Sequence, residues 1–214
     1  MCARKFDLCL GIGGEAGQGI ATPGDILARI FVRRGLHLNT YNAYQSIIRG
    51  GHIFLFVRIS DQEVHSHGDK LDVLLCLNQD TMDRHLHFMG AGSRVIYNSD
   101  SVKPGDANPG AQLCPIPVAE LTESRNRLVQ NTVAVGAVAS LIGLEFEVLE
   151  ESLVLRFQRQ GQAMVDENVR VARAGYDYAE KHFEHFPDEL PTGDTPLGVW
   201  SGNEAIAVGG AAAG

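Results

Sequence analysis

No stretch of this 214-residue chain approaches the ~20 uninterrupted apolar residues that cross a bilayer, so no membrane-spanning segment is expected. The opening MCARKFDLCLGIGG does not read as a secretory leader, because Asp7 splits its short apolar run, and a cytoplasmic location is the expectation. Cysteine is scarce. Cys2, Cys9, Cys76 and Cys114 stand apart with no CxxC spacing, which argues against a zinc knuckle or an iron–sulfur ligand set and leaves reduced structural thiols. Lysine-rich stripes with interleaved aromatics are missing, and with a formal net charge of -8 the chain is not expected to bind nucleic acid.

The charge that is present is unevenly spread. Residues 1–144 carry thirteen basic and thirteen acidic side chains, whereas 145–214 carry five and thirteen, so the acidity belongs to the last third. Between residues 8 and 60, Arg29, Arg33, Arg34, Arg49 and Arg58 face only Glu15 and Asp25, a local positive bias suited to a small anion.

Glycine is concentrated beside that bias. Residues 11–24 read GIGGEAGQGIATPG, six glycines in fourteen positions. The preceding Phe6, Leu8, Leu10 and Ile12 alternate as a strand, and Ile20, Leu27, Ile30 and Phe31 then recur at helical spacing, so the stretch opens a βαβ unit. Gly11, Gly13 and Ala16 meet the GxGxxG/A pattern of dinucleotide binding, yet the acidic ribose partner is missing; His37, Asn39, Tyr41 and Gln45 stand in that region instead. Gly14–Gly19 has the GxxxxG of a P-loop, but Ile20-Ala21 replaces Lys-Ser/Thr, which removes the phosphate lysine and the magnesium hydroxyl. A phosphate cradle and glycines that only permit close strand–helix packing both remain open.

Further strands are expected at 37–46, at 52–60 with an antiparallel addition over 63–67, at 73–77, 94–97 and 112–116, with a helix over 80–89 capped by Asp80 or Asp83. From Asn131 onward the pattern turns helical. NTVAVGAVASLIG reads as a buried helix despite Gly136, Glu147–Gln158 as a second, and Val165, Val169, Ala172, Tyr176, Ala179 and Phe183 as the apolar stripe of a third. The fold class is therefore α/β: a mixed, mostly parallel sheet flanked by helices, with a helical C-terminal third. Residues 1–186 form this domain, 187–201 a Pro- and Gly-rich linker, and 202–214 a small-residue helix that starts a following domain or forms a tail. Apolar faces in the helical third point to a homodimer when the chain is isolated. The pairs His65/His67 and His85/His87 lack a third ligand nearby and read as hydrogen-bonded or exposed histidines.

A second constellation, YNAYQSIIRGGHIFLFVRIS, places Arg49 before Gly50 and Gly51, where the guanidinium fork suits a carboxylate or phosphate. GEAGQGIATPGDILARIF, YQSIIRGGH, VRIS, DVLLCLNQDTMDRH and VIYNSD, in this order, resemble the gamma domain of the 2-oxoacid:ferredoxin (or other acceptor) oxidoreductases, most of all the form fused ahead of the alpha domain in 2-oxoglutarate oxidoreductase. The tail GNEAIAVGGAAAG resembles the opening of that alpha domain. The resemblance implies an enzyme complex that converts a 2-oxoacid to an acyl-CoA on thiamine diphosphate, with magnesium and iron–sulfur clusters in the alpha and beta parts and ferredoxin as acceptor. It implies for this chain a non-catalytic role in closing the active site, assembling subunits and contributing to the coenzyme A pocket. Gly13, Gly14, Gly17, Gln18 and Gly19, with Arg49, Gly50 and Gly51, are the residues it points to. A free-standing Rossmann-like nucleotide-binding protein is the alternative.

Overall fold

The computed structural model describes residues 5–44, 51–105, 110–124 and 126–214. Strand β1 (Asp7–Glu15) leads into helix α1 (Ala21–Arg33), then β2 (His37–Tyr44) and β3 (His52–Ser60) form a hairpin. Next come β4 (Val73–Cys76), α2 (Gln79–His85), β5 (Arg94–Asn98), β6 (Gln112–Ile116) and the single turn α3 (Val118–Leu121). The last third holds α4 (Arg127–Leu141), α5 (Phe146–Phe157), α6 (Gln162–His182) and, beyond an extended segment, α7 (Gly202–Ala213).

The six described strands form one sheet in the order β2-β3-β1-β4-β5-β6. β1, β4, β5 and β6 pair in parallel, and β3 alone runs against its neighbours. Period-2 alternation sorts the core. Leu8, Leu10, Ile12, Val73, Leu75 and Ile96 face α1, α4, α5 and α6, while Cys9, Leu74, Cys76, Val95 and Tyr97 face Met82 and Leu86 on the α2 side. β1 and β4 are buried on both faces, as parallel strands covered by helices must be.

The antiparallel addition expected over 63–67 is not formed. Both edges of β3 are already taken, by β1 and β2, so a strand turning back from Ser60 has no backbone to pair with. Residues 61–72 instead form an irregular strap, tied by the Arg58 guanidinium donating to the Ser66 carbonyl at 3.2 Å and by the Cys9 thiol donating to the His67 carbonyl at 3.5 Å. His65 and His67 therefore do not alternate on a strand. Asn78, not Asp80 or Asp83, caps α2: its side chain accepts from the Thr81 N–H at 2.9 Å, and Asp80 pairs with Arg84 one turn on.

In the helical third, α4 is buried over most of its length against α6. A Cβ on Gly136 would overlap the Ala172 carbonyl oxygen, and one on Gly175 the Val133 carbonyl oxygen, so the two helices cross backbone against backbone. Thr132 donates to Asn168 Oδ1 at 2.7 Å inside that seam, and Asn168 donates in turn to the Met164 carbonyl at 2.8 Å. The apolar stripe from which self-association was expected is thus spent within the chain. Residues 187–201 do not hang free either: the Gly193 and Leu197 N–H groups donate to the Arg34 and Val32 carbonyls at 2.8 and 2.7 Å, pinning the segment to the end of α1. Among the described residues no helix is long and apolar enough to cross a membrane.

Candidate functional site

The glycine-rich stretch divides into two parts with different physical tasks. Gly11, Gly13 and Gly14 belong to β1 itself. A Cβ on Gly11 would lie 2.5 Å from Phe54 Cζ of β3, and one on Gly13 would overlap Thr81 of α2, so these glycines make room for the Phe54 ring and for the start of α2 against the sheet. The turn proper is residues 16–19, where Gly17 and Gly19 hold φ of +90° and +78°, conformations costly for any side-chain-bearing residue. Gln18 folds back, its Oε1 accepting from the Glu15 N–H at 2.6 Å, and its carbonyl accepts from the Asn131 side chain at 2.5 Å. The turn is thereby fastened to both β1 and α4.

The Ala16 N–H donates to the Gly51 carbonyl at 3.0 Å, in continuation of the Glu15–His52 register of β1 with β3. The glycine turn and the Arg-Gly-Gly segment, some thirty residues apart in sequence, are therefore bonded neighbours. Arg49 and Gly50 lie outside the described residues. Few N–H groups at the start of α1 are open to a ligand: Thr22 donates to the Gly19 carbonyl at 3.2 Å, and Pro23 has none.

Beside the turn lies a cleft of ≈ 350 Å³ at the carboxyl ends of β4 and β5. Gln18, Asn78, Gln79, Asn98, Arg127 and Asn131 supply its polar walls, and no carboxylate lines it. This is where the sheet changes winding direction: from β1 the chain adds β3 and β2 on one side and β4, β5 and β6 on the other, the crevice in which open α/β sheets take ligands. The amides offer donors and acceptors together, and Arg127 offers a guanidinium. Sequence reasoning missed Asn78, Asn98, Arg127 and Asn131. A dinucleotide geometry is not made, because β3 stands between β1 and β2 and carries the end of β2 away from the glycine turn.

Residues 9–178 match the pyruvate ferredoxin/flavodoxin oxidoreductase family, four-fifths of the chain. The chain belongs to this family. It is 29% identical over 177 residues to the ketoisovalerate oxidoreductase subunit VorA of Methanothermobacter thermautotrophicus, a match covering 81% of this chain and 36% of that one. The solved 2-oxoglutarate:ferredoxin oxidoreductase of Magnetococcus marinus, which has 2-oxoglutarate, coenzyme A and succinyl-CoA bound, superposes with a TM-score of 0.86 at 26% identity over 96% of this chain and 37% of that one. The gamma subunit of the keto/oxoacid ferredoxin oxidoreductase of Geobacter sulfurreducens shares the fold, with a TM-score of 0.66 at 24% identity over 80% of this chain and 98% of that subunit. This chain thus spans little more than a third of the first two proteins and shares its fold with the third over nearly all of that subunit.

Immediately after Gly51, the chain carries a histidine pair. His52 Nε2 and His85 Nε2 are 2.9 Å apart, Asp80 Oδ2 is 3.4 Å from His52 Nδ1, and the His85 ring stacks on Phe54 at 3.8 Å. Burial pushes His85 down to about 4, reinforced by His52, His87 and Arg84 and opposed by Asp80; burial also lowers His52. A histidine depressed on folding binds its proton more readily in the unfolded chain, so protonation destabilises the fold as pH falls from 6.5 towards 4 and the effect saturates below that. The unfolding free energy read from urea titrations is expected to drop across this window, by about 1–2 kcal/mol once partial exposure is discounted for solvent screening. His85→Gln should flatten the slope between those pH values; an unchanged slope would remove the pair as its cause.

Proposed function

We propose that this chain is the gamma part of a 2-oxoacid:ferredoxin oxidoreductase that oxidatively decarboxylates a 2-oxoacid, 2-oxoglutarate fitting best, to its acyl-CoA. Its own role is non-catalytic: it contributes to the coenzyme A pocket, helps to close the active site and holds the alpha and beta parts together. The observation that carries this reading is a cleft lined by amides and Arg127 without an acid, reached by Gln18 of the glycine turn, whose neighbour Ala16 is hydrogen-bonded to Gly51. Such walls suit an anionic, amide-rich ligand, and coenzyme A is both. The Magnetococcus marinus enzyme, with coenzyme A bound, supports the choice.

The described cysteines do not fit an iron–sulfur cluster; Cys2 lies outside the described residues. Cys9, Cys76 and Cys114 lie buried in three different strands, with burial pushing Cys9 and Cys114 up to about 12, so they do not present a thiolate set for a cluster. Among the described residues no group of three or more His, Cys, Asp or Glu is arranged to hold a metal ion. In this reading thiamine diphosphate, magnesium and the iron–sulfur clusters belong to the alpha and beta parts, and ferredoxin accepts the electrons there. In this reading the isolated chain is a homodimer: Val154 and Leu155 of α5 in the helical third stay exposed, as do Tyr41 and Tyr44 on edge strand β2.

The domain division is part of the same proposal. Residues 1–186 make up less than nine-tenths of the chain, so a match over 96% of it takes in part of 187–214. Every residue of α7 is exposed, although the helix is almost wholly apolar and is started by a Ser201–Glu204 capping box. A helix of that kind needs a cover, and a following alpha domain provides one.

The test is reconstitution. The chain alone should show no 2-oxoacid-dependent reduction of a viologen dye, whereas the chain with its alpha and beta parts should reduce it with 2-oxoglutarate in a coenzyme A-dependent way. Turnover by the chain alone, or an alpha–beta preparation with the same coenzyme A dependence in its absence, would overturn the reading.

A further inference from the structure

Away from the cleft, α1 and α5 lie side by side on the outer surface, antiparallel, with the Arg34 guanidinium donating to Glu145 at 2.6 Å at one end. Between them runs a groove of ≈ 410 Å³ into which Arg29, Arg33, Arg156 and Arg159 converge, together with the Ser152 hydroxyl and the Gln158 amide. It shares no residue with the cleft beside the glycine turn. The one carboxylate that lines it, Asp25, is held by Arg29 at 2.8 Å. Four guanidinium groups against one acid is a marked excess in a chain whose net charge is -8.

Most arginines elsewhere in the described residues have evident structural work, Arg127 at the cleft and the exposed Arg170 excepted. Arg34 and Arg58 pair with Glu145 and Asp7, Arg84 with Asp80, Arg173 with Glu147, and Arg94 donates to four backbone carbonyls. Arg33, Arg156 and Arg159 have no such carboxylate partner among the described residues. The helix macrodipole explains part of this, since Arg33 and Arg156 occupy the last turns of their helices, where a cation is favoured. It does not explain Arg29 in the body of α1, Arg159 beyond the end of α5, or the convergence of all four on one groove. Mutual repulsion there is an unfavourable interaction that a bound polyanion would relieve.

We propose that this groove is a second anion site that takes a polyphosphate group, either a free condensed phosphate or the phosphate chain of a nucleoside triphosphate. The guanidinium fork matches phosphate oxygens in pairs, and three arginines free of carboxylates match the several charges of a triphosphate. The hydroxyl and amide add neutral hydrogen bonds to the remaining oxygens. The site is independent of the coenzyme A reading, because it neither shares its residues nor needs its partners.

The test is titration of the 214-residue chain with inorganic tripolyphosphate by calorimetry at low salt, repeated with ATP. Saturable one-to-one binding is expected, weakened roughly tenfold or more by Arg33→Gln with Arg156→Gln and less than about twofold by Arg170→Gln, an exposed arginine on α6 outside the groove. ATP binding as tightly as tripolyphosphate marks a nucleotide as the source, and much weaker ATP binding marks a condensed phosphate; each supports the site. All three positions are exposed, so the variants should fold, which circular dichroism checks. Equal weakening by Arg170→Gln would reduce the groove to diffuse surface charge, and failure to saturate at millimolar tripolyphosphate would overturn the proposal.

Discussion

Gly136→Ala is expected to destabilise the chain by about 3–5 kcal/mol, although alanine is the better helix former by about 1 kcal/mol in an exposed position. The reason is the neighbour. An alanine Cβ at 136 would overlap the Ala172 carbonyl oxygen and sit 2.8 Å from its carbonyl carbon, and neither is the end of a flexible side chain that can swing away. The reciprocal approach of Gly175 to Val133 closes the seam from the other side, so α4 and α6 would have to separate along their length. Separation also strains the Thr132–Asn168 hydrogen bond at 2.7 Å, leaving buried polar atoms without partners. Urea unfolding of the variant measures the loss. Gly209→Ala in α7, where nothing lies within 4 Å of the new methyl, is the internal comparison and should be neutral or slightly stabilising. A loss below about 1 kcal/mol for Gly136→Ala would mean the crossing is looser than the structure shows.

That seam also marks where the sequence could and could not be read. Strand β3 falls at His52–Ser60, and β6 at Gln112–Ile116, where they were expected, because a short apolar run bounded by turn residues marks a strand from its own residues. The strap at 61–72 was unreadable in this way: whether a short polar stretch pairs depends on whether an edge is free, and that is a property of the whole sheet. For α6 the apolar stripe picked out Val165, Ala172 and Ala179 correctly, yet Asn168, Val171 and Gly175 are buried as deeply as they are, and Tyr176 and Phe183 flank the contact. The partner surface on α4 is built of small residues, so the closest approach goes to a glycine and a hydrogen-bonded asparagine, which hydropathy does not mark.

The site divides likewise. Local chemistry marked the glycine turn and the Arg-Gly-Gly segment separately, and the antiparallel register of β1 with β3 joins them through Ala16 and Gly51. Asn78, Asn98 and Asn131 carry no local mark of a site, and Asn78 caps α2; only the strand order brings them around one cleft. Charge was legible as a local excess of arginine between residues 8 and 60, but not its division of labour. Arg34 and Arg58 serve ion pairs within the fold, whereas Arg29 and Arg33 meet Arg156 and Arg159, which lie more than a hundred residues away in sequence.

The assembled oxidoreductase offers the test with the largest functional effect, and the two glycines of the turn make it discriminating. Gly17→Val and Gly19→Val both force a β-branched residue to a positive φ, so both strain the backbone. Gly19→Val also meets the tip of Leu128 on α4, an exposed side chain that must swing aside, whereas nothing lies within 4 Å of a Cβ at Gly17. A valine at 17 therefore points into open space. If coenzyme A occupies that space, Gly17→Val should raise its apparent KM roughly ten- to a hundredfold in a complex that still assembles, with the 2-oxoacid KM little changed. Arg49→Ala, two residues before Gly51, should act in the same direction by removing a charge-assisted phosphate contact, a loss of about 1.5–3 kcal/mol, and Arg49→Lys should restore little because an ammonium lacks the fork. Steady-state kinetics with coenzyme A varied reads both effects, and sedimentation of the complex controls for assembly. Should Arg49→Ala leave coenzyme A dependence unchanged while the subunits dissociate more readily, the paired turns would be an interdomain contact, and the coenzyme A site would have to lie elsewhere.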